Sequence, residues 1–292
     1  MSESGKTDRP IAKATAETPV ISVITVVRNG EKHIEETIQS IIEQTYPHVE
    51  YIIIDGNSTD STVSIVKRYA DRIHYWISEK DKGIYDAMNK GIKASTGEWL
   101  IFINADDYLA GPNVIADAVP FLVNTKSKVV YGNVSLIYES GPEKLRGSEW
   151  KDISFHFRNI RMNISHQGIF HSRALFKDRL YDPTFKITAD YDLLLSYLKN
   201  HDPLYLPQTV AKMRATGVSA SSSDFKLLNE IRQAQINNGI YRSVPSIAWF
   251  KSAITLILND RIIKLIGIKR KDKLKRIKAR LFKSTQSSTQ LF

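Results

Sequence analysis

The chain reads as an α/β protein: a Rossmann-like, mostly parallel sheet flanked by helices, with a C-terminal helical basic extension. Three observations carry that reading. Short β-branched runs alternate with stretches of helical spacing through the first half, the runs are apolar on both faces, and polar or acidic clusters close them. Strands apolar on both faces need cover on both, and a helix following each parallel strand supplies it.

The run at positions 21–27 (ISVITVV) ends at Arg28-Asn29-Gly30, a turn signal. Ile34, Ile38, Ile41 and Ile42 then fall at i, i+4, i+7 and i+8, one face of a helix. A second strand at 51–54 closes on Asp55-Gly56-Asn57-Ser58-Thr59-Asp60, followed by a helix to about position 70 and a short strand at 73–77. Positions 83–94 predict a helix, and 99–103 (WLIFI) a buried strand ending at Asn104-Ala105-Asp106-Asp107. The second half is less regular. It predicts strands at 129–134 and 168–170, a helix at 190–200, a return to the sheet at 208–213 and a loop at 217–223 (GVSASSS). A helix at 225–238 and an apolar, then basic, helical region at 247–283 complete the chain. The expected organisation is a flexible tail at 1–18, one main domain at 19–223 and an extension at 224–292.

Composition narrows the function classes. The 292 residues are 42% apolar and 25% charged, which suits a packed core and excludes general disorder. There is no cysteine, so disulfides, thiolate catalysis and thiolate-bound zinc are excluded, and the chain fits the cytosol. Positions 1–17 lack the apolar core of a secretory signal. The longest lipophilic stretch, 247–258, contains Lys251 and as a helix would reach roughly 18 Å, short of a ~30 Å hydrocarbon layer. The net charge of +10 is local: eleven basic residues and Asp272 between positions 261 and 283 account for all of it. A nucleic-acid-binding surface would spread its charge over the fold, so nucleic acid is not expected as a partner.

In parallel sheets, ligands sit beyond the carboxyl ends of the strands, where three clusters converge here. Asp106 and Asp107 are hard oxygen ligands suited to Mg²⁺ or Mn²⁺, or alternatively caps within a turn. Asp55 can accept a bond from a nucleobase ring N–H, or close a loop before a helix capped by Ser58 or Thr59. Asp86, Asn89 and Lys90 share a helix face, which by itself reads as a solvated face with an Asp86–Lys90 ion pair. Asp190 opens an apolar helix, as a general base or as an acid complementing the helix dipole. His166-Gln167 precedes the short strand at 168–170, where His166 reads as a hydrogen-bonded core histidine.

The order of the motifs is more specific than any one. Strand–RNG, strand–DGNSTDST, SEKDKGIYDAMNKG, strand–NADD, HQGIF and TADYD occur in sequence. This resembles the family 2 glycosyltransferases of the GT-A fold over roughly positions 20–223, most closely those of bacterial exopolysaccharide and colanic-acid-type assembly. The resemblance implies an inverting transferase using a nucleotide-diphosphate sugar, most commonly a UDP-sugar, with Mn²⁺ or Mg²⁺. It implies Asp190 as the catalytic base and a donor site made of Val27, Arg28, Asn29, Asp55, Asn57, Asp81, Lys82, Gly83, Asp86, Asn89, Asn104, Ala105 and Asp106. It further implies Asp106 and Asp107 at the metal, with His166 and Gln167 shaping the acceptor or donor pocket. Lys82 is the candidate cation for the diphosphate. Two positions depart from the family pattern: Gly56 replaces the second acid of its D-D pair, and Asn104 the first acid of its D-x-D motif.

The apolar-then-basic segment 247–283 suits an anionic membrane surface, placing the protein at the cytoplasmic face of the cell membrane beside a glycan or lipid-linked acceptor. Alternatively the segment is a solvated charged helix packed on the body. A sugar-nucleotidyltransferase would carry a glycine-rich phosphate loop after the first strand, where this chain has a single glycine, Gly30. Release of nucleoside diphosphate rather than pyrophosphate separates the two enzymes. Salt-sensitive nucleic-acid binding as the main activity would mark a third, non-enzymatic class.

Overall fold

A computed structural model describes residues 2–7, 15, 17–138, 141–215, 224–240, 247, 249–251 and 253–255. In chain order the strands are β1 (Glu3–Lys6), β2 (Ile21–Val27), β3 (Val49–Asp55), β4 (Tyr75–Ser78), β5 (Trp99–Phe102), β6 (Tyr108–Leu109), β7 (Val129–Ile137), β8 (Lys144–Arg146), β9 (Ile169–Ser172) and β10 (Leu204–Arg214). The helices are α1 (Ile34–Ile42), α2 (Thr62–Arg68), α3 (Ile84–Ala94), α4 (Val114–Val123), α5 (Trp150–Asn159), α6 (Ala189–Leu198) and α7 (Asp224–Asn237).

The strands form one sheet in the order β1-β4-β3-β2-β5-β9-β7-β10-β6, with β8 paired to β7. Strands β4, β3, β2 and β5 are mutually parallel, and β10 runs parallel to β7. Strand β9 lies antiparallel between β5 and β7. Parallel register sets Val27, Asp55 and Ser78 side by side at the carboxyl edge.

Period-two alternation sorts the strand residues between two cores. Val23, Tyr51, Ile53 and Ile101 face α1, α2 and α4, where Ile38, Val66 and Ala118 meet them. Ile24, Ile52, Ile54 and Phe102 face the opposite layer, with Met88 of α3 and Leu194 of α6. This two-sided burial is why the runs read as continuously apolar.

Several elements depart from expectation. Residues 3–6, expected within a flexible tail, pair with β4 from Glu3↔Ser78 to Lys6↔Tyr75. They cover an otherwise open sheet edge, and a Cβ at Gly5 would lie 2.3 Å from the Trp76 indole, so glycine lets the backbone approach. Helix α4, unanticipated, contains Pro120, which breaks a helical sequence signal; α5 was unanticipated as well. The predicted loop at 217–223 and all of 256–283 lie outside the described residues.

Candidate active site

The loops after β2 and β3 lace together through side chains. Asn29 and Asn57 take left-handed backbone, with φ of 55° and 60°. Asparagine tolerates this better than most residues. Asn29 Oδ1 then accepts the Thr59 amide at 2.9 Å, while the Asn29 and Gly30 amides donate to Ser58 Oγ at 2.7 Å and Thr62 Oγ1 at 2.8 Å. Asp55 is buried. Its carboxylate accepts the Ser58 amide at 2.9 Å, Ser78 Oγ at 2.6 Å and the Ser58 hydroxyl. The loop-closing role of Asp55 is thus filled by protein donors.

These loops open on a cavity of about 1100 Å³ above the carboxyl edge. Of the residues singled out from sequence, Val27, Arg28, Asn29, Asp81, Gly83, Asn104, Ala105, Asp106 and Asp107 line it, together with His166, Gln167 and Asp190. Asp55, Asn57, Lys82, Asp86 and Asn89 do not. Asp86 instead accepts the Lys82 amide at 3.0 Å and faces Lys90 at 3.8 Å, the solvated-face arrangement. Lys82 is exposed and Arg28, not Lys82, contributes a cation to the lining near β2. Asn89 is buried and exchanges two hydrogen bonds with the backbone of Tyr181, at 2.8 and 3.0 Å. The helix geometry explains the split: Ile84, Tyr85, Ala87 and Met88 turn toward the cavity, carrying Asp86 away from it.

Gly56 now has a structural reason. A Cβ there would lie 2.2 Å from Asp81 Oδ2, so the Asp81 carboxylate fills the space a second acid would need. Asp81 Oδ1 also accepts the Gly83 amide at 2.9 Å, and Gly83 enters α3 at φ 128°.

The turn after β5 separates two neighbouring aspartates. Asp107 is buried, accepting Gln167 Nε2 at 2.7 Å and the Arg214 amide at 3.0 Å, while its carbonyl accepts Thr37 Oγ1 at 2.7 Å. Burial, and then the charge of Asp106, push its carboxyl up to about 7. Asp107 therefore pins the turn, while lying beside Asp106 on the cavity lining. Asp106 lines the cavity, and among the described residues its carbonyl alone is bound, by Arg214 Nη1 at 2.7 Å. Among the described residues the buried Asn104 Oδ1 atom has no partner.

The opposite wall comes from the second half of the chain. Asp190, in the first turn of α6, accepts the Tyr85 hydroxyl at 3.1 Å. Burial raises its carboxyl to about 6, against the pull of backbone amides and Tyr85, with the charge of Glu230 adding to the rise. His166 lies under this wall, stacked on Phe102 with centroids 5.0 Å apart and 2.9 Å from the Tyr181 hydroxyl. Burial lowers it to about 4, so it is neutral at physiological pH. Tyr85 and Arg214 were missed from sequence. Tyr85 stood inside a quoted motif, whereas nothing local marks Arg214, which reaches 108 positions back to Asp106.

The residues fit a divalent cation in part. Among the described residues no three His, Cys, Asp or Glu side chains gather around a metal position. One open carboxylate, Asp106, and the orphaned Asn104 carbonyl are what a Mg²⁺-type ion uses when substrate phosphates complete its shell.

A mostly parallel sheet flanked by helices, with polar loops and acids gathered over its carboxyl edge, is the architecture of GT-A glycosyltransferases. Solved structures share the fold: Staphylococcus aureus TarS in complex with UDP superposes with a TM-score of 0.60 at 19% identity, over 77% of this chain and 67% of that one. The mannosyltransferase PcManGT of Pyrobaculum calidifontis, in complex with GDP-Man and Mn²⁺, gives 0.60 at 18% identity, over 94% and 84%. The model for "Glycosyl transferase family 2" matches residues 22–185, more than half of the chain. An uncharacterized glycosyltransferase of Mycobacterium tuberculosis is 31% identical over 74% of this chain and 82% of its own length. A PGL/p-HBAD biosynthesis glycosyltransferase of Mycobacterium bovis is 32% identical over 62% and 71%. The chain belongs to glycosyl transferase family 2 and is a glycosyltransferase.

Proposed function

We propose that this glycosyltransferase is inverting and metal-dependent, and moves a sugar from a nucleotide-diphosphate sugar, most plainly a UDP-sugar, to a hydroxyl of a lipid-linked glycan in bacterial surface polysaccharide assembly. One observation carries the proposal: a single cavity is lined by Asp106 beyond β5 and by Asp190 at the start of α6, so a metal-and-phosphate acid and a base face the same space. The solved neighbours bound to UDP or to GDP-Man and Mn²⁺ support a nucleotide-sugar donor.

Asp190, ionised at neutral pH, would take the acceptor hydroxyl proton as that oxygen bonds to the anomeric carbon and the bond to the diphosphate breaks. Attack opposite the leaving group inverts the anomeric configuration. General-base assistance of this kind is worth ~10²–10⁴ in rate. Arg28, on the cavity wall, would offset charge on the departing diphosphate. Bound Mg²⁺ or Mn²⁺, held by Asp106 and Asn104, would supply further charge neutralisation. Neutral His166 and Gln167 shape the pocket.

The acceptor wall mixes apolar Met162, Ile164, Leu227 and Ile231 with the cations Arg146 and Lys186, a surface suited to a lipid-borne phosphate. At the helical positions 247, 250 and 254, exposed Ile247, Phe250 and Ile254 precede the basic run, in keeping with peripheral binding at the inner membrane face. Among the described residues no helix is long and apolar enough to cross a membrane. Co-sedimentation with anionic and neutral vesicles at two salt concentrations tests this part; equal pelleting on both would remove it.

The catalytic proposal is tested by thermal shift with UDP- and GDP-sugars in Mn²⁺, followed by product analysis. A stabilising donor and release of nucleoside diphosphate are expected. Asp106→Ala should abolish the metal-dependent part of donor binding in isothermal titration. Unchanged donor affinity in that variant would sink the metal assignment, and pyrophosphate release would sink the reaction.

A further inference from the structure

We infer that α7, which lies beyond the residues matched by the family model, completes the active centre and that its Glu230 is a positioning residue for Asp190; the inference rests on Asp190 being the base. Glu230 lies in the middle of α7 and reaches across to the segment that leads into α6. Its Oε1 accepts the Lys186 amide at 3.0 Å, and its Oε2 accepts the Ile187 amide at 2.8 Å and the Thr188 amide at 3.1 Å. The Thr188 hydroxyl donates to the same oxygen at 3.4 Å. Three consecutive backbone N–H groups thus converge on one carboxylate.

Helix α6 begins there. Thr188, at its N-cap position, makes no side-chain capping bond of its own. A helix start leaves amides without intrahelical partners and favours negative charge nearby. Glu230 supplies both acceptor and charge from another helix, fixing the three residues immediately before the Ala189-Asp190 turn. The held segment is itself part of the wall: Lys186, Ile187 and Thr188 line the cavity with Asp190, and so do Leu227 and Ile231 of α7. Positions 227, 230 and 231 share one helical face, so α7 contributes wall and clamp together. A second tie secures the seam, with Asn238 Nδ2 donating to Asp192 Oδ1 at 2.9 Å.

The groups facing Asp190 are few. Tyr85 donates from α3, Tyr181 approaches from the segment before α6 with His166 on its hydroxyl, and Glu230 contributes charge from α7. In the same first turn of α6 the buried Asp192 pairs with Arg179, and the Lys186 ammonium donates to the Pro183 carbonyl at 3.1 Å. Glu230 is the member of this set that both holds the backbone before Asp190 and repels its ionised form.

The test uses the full chain with donor and acceptor, reading kcat, donor KM, the pH profile of kcat and the melting temperature. Glu230→Gln keeps the shape but loses the charge and one acceptor. It should lower kcat roughly 10- to 100-fold, the scale of a small displacement of a catalytic group, with donor KM unchanged. The acidic limb of kcat should move to lower pH, because a negative charge near Asp190 is gone. Glu230→Asp keeps the charge but shortens the reach, so kcat should fall while the limb stays at its wild-type position. Wild-type kcat and limb in Glu230→Gln would overturn the inference. So would a loss that only follows the melting temperature with the limb unmoved. Normal turnover in Asp190→Asn would instead sink the assignment of the base, whatever Glu230 does.

Discussion

The two ends of the sheet handle buried polar groups in opposite ways. At the amino-terminal ends of the strands, buried Glu50 accepts Ser22 Oγ at 2.6 Å, the Thr96 amide at 2.7 Å and Thr96 Oγ1 at 2.8 Å. Glu98 takes the Val20 amide at 2.6 Å, and Arg173 donates to the Gly97 carbonyl at 2.6 Å and Ser95 Oγ at 2.9 Å. Every charge there meets a partner from the fold. At the carboxyl-terminal ends, Asp55 and Asp107 are similarly satisfied, but among the described residues Asn104 Oδ1 is buried without a partner, and Asp190, met by the Tyr85 hydroxyl and nearby backbone amides, keeps a raised pKa. At this edge the filled carboxylates of Asp55 and Asp107 hold the loops, whereas Asn104 and Asp190 combine unfilled or perturbed polar groups with a place on the cavity wall.

The largest effect that sharpens this contrast belongs to Asp190→Asn. Turnover should fall at least ~10²-fold, because the amide cannot accept a proton. Stability should move the other way. The Asp190 carboxyl is raised from 3.8 to about 6 in the folded chain, so its contribution to stability is full below about pH 4 and is lost as pH rises through 6. Replacing it should therefore stabilise the protein at pH 8 by on the order of 3 kcal/mol, with the difference vanishing near pH 4. Denaturant melts at both pH values check the sign. A variant less stable than wild type at pH 8 would contradict the picture of a functional site held at a cost to the fold.

Glu50→Ala breaks the contrast from the other end. It leaves the Ser22 hydroxyl and the Thr96 amide without an acceptor in a buried region, at ~1–3 kcal/mol for each unsatisfied group. The expected result is a lower denaturation midpoint with donor KM unaltered at temperatures where the variant is folded. A change in KM without a change in stability would mean that the two edges are coupled.

The same contrast explains what the sequence could and could not convey. Two-sided apolar runs expose the parallel sheet, and strand-end acids point to its carboxyl edge, since both signals are local. Asp106 and Asp190 were legible as single residues for that reason. Which acids remain open to a ligand is a long-range matter. Asp107 is claimed by Gln167, 60 positions away, and Asn89 by Tyr181, 92 positions away. Asp55 and Asp107 look alike from sequence to an open acid, and differ only in the donors the fold brings to them. Glu230 carries no signal of its own within α7. Its meaning comes from three amides more than 40 positions earlier.

The smallest effect concerns Tyr85, the one side chain bonded to Asp190. A hydroxyl donating to a carboxylate favours the ionised form, so Tyr85 holds the base below the value that burial alone would set. Tyr85→Phe removes the donor while keeping the ring that packs on Tyr181, with centroids 5.6 Å apart. The acidic limb of kcat should therefore move to higher pH, opposite to the shift expected for Glu230→Gln. Activity should fall several-fold at pH 6.5, near the rise in protonated base, and recover toward wild type at pH 8.5, where the carboxylate is ionised in both proteins. One hydrogen bond to a charged group is worth ~1.5–3 kcal/mol at most, which bounds the limb's movement to about one or two pH units. A uniform loss across the pH range would instead assign Tyr85 to packing or substrate contact, leaving Asp190 tuned by burial, backbone amides and Glu230.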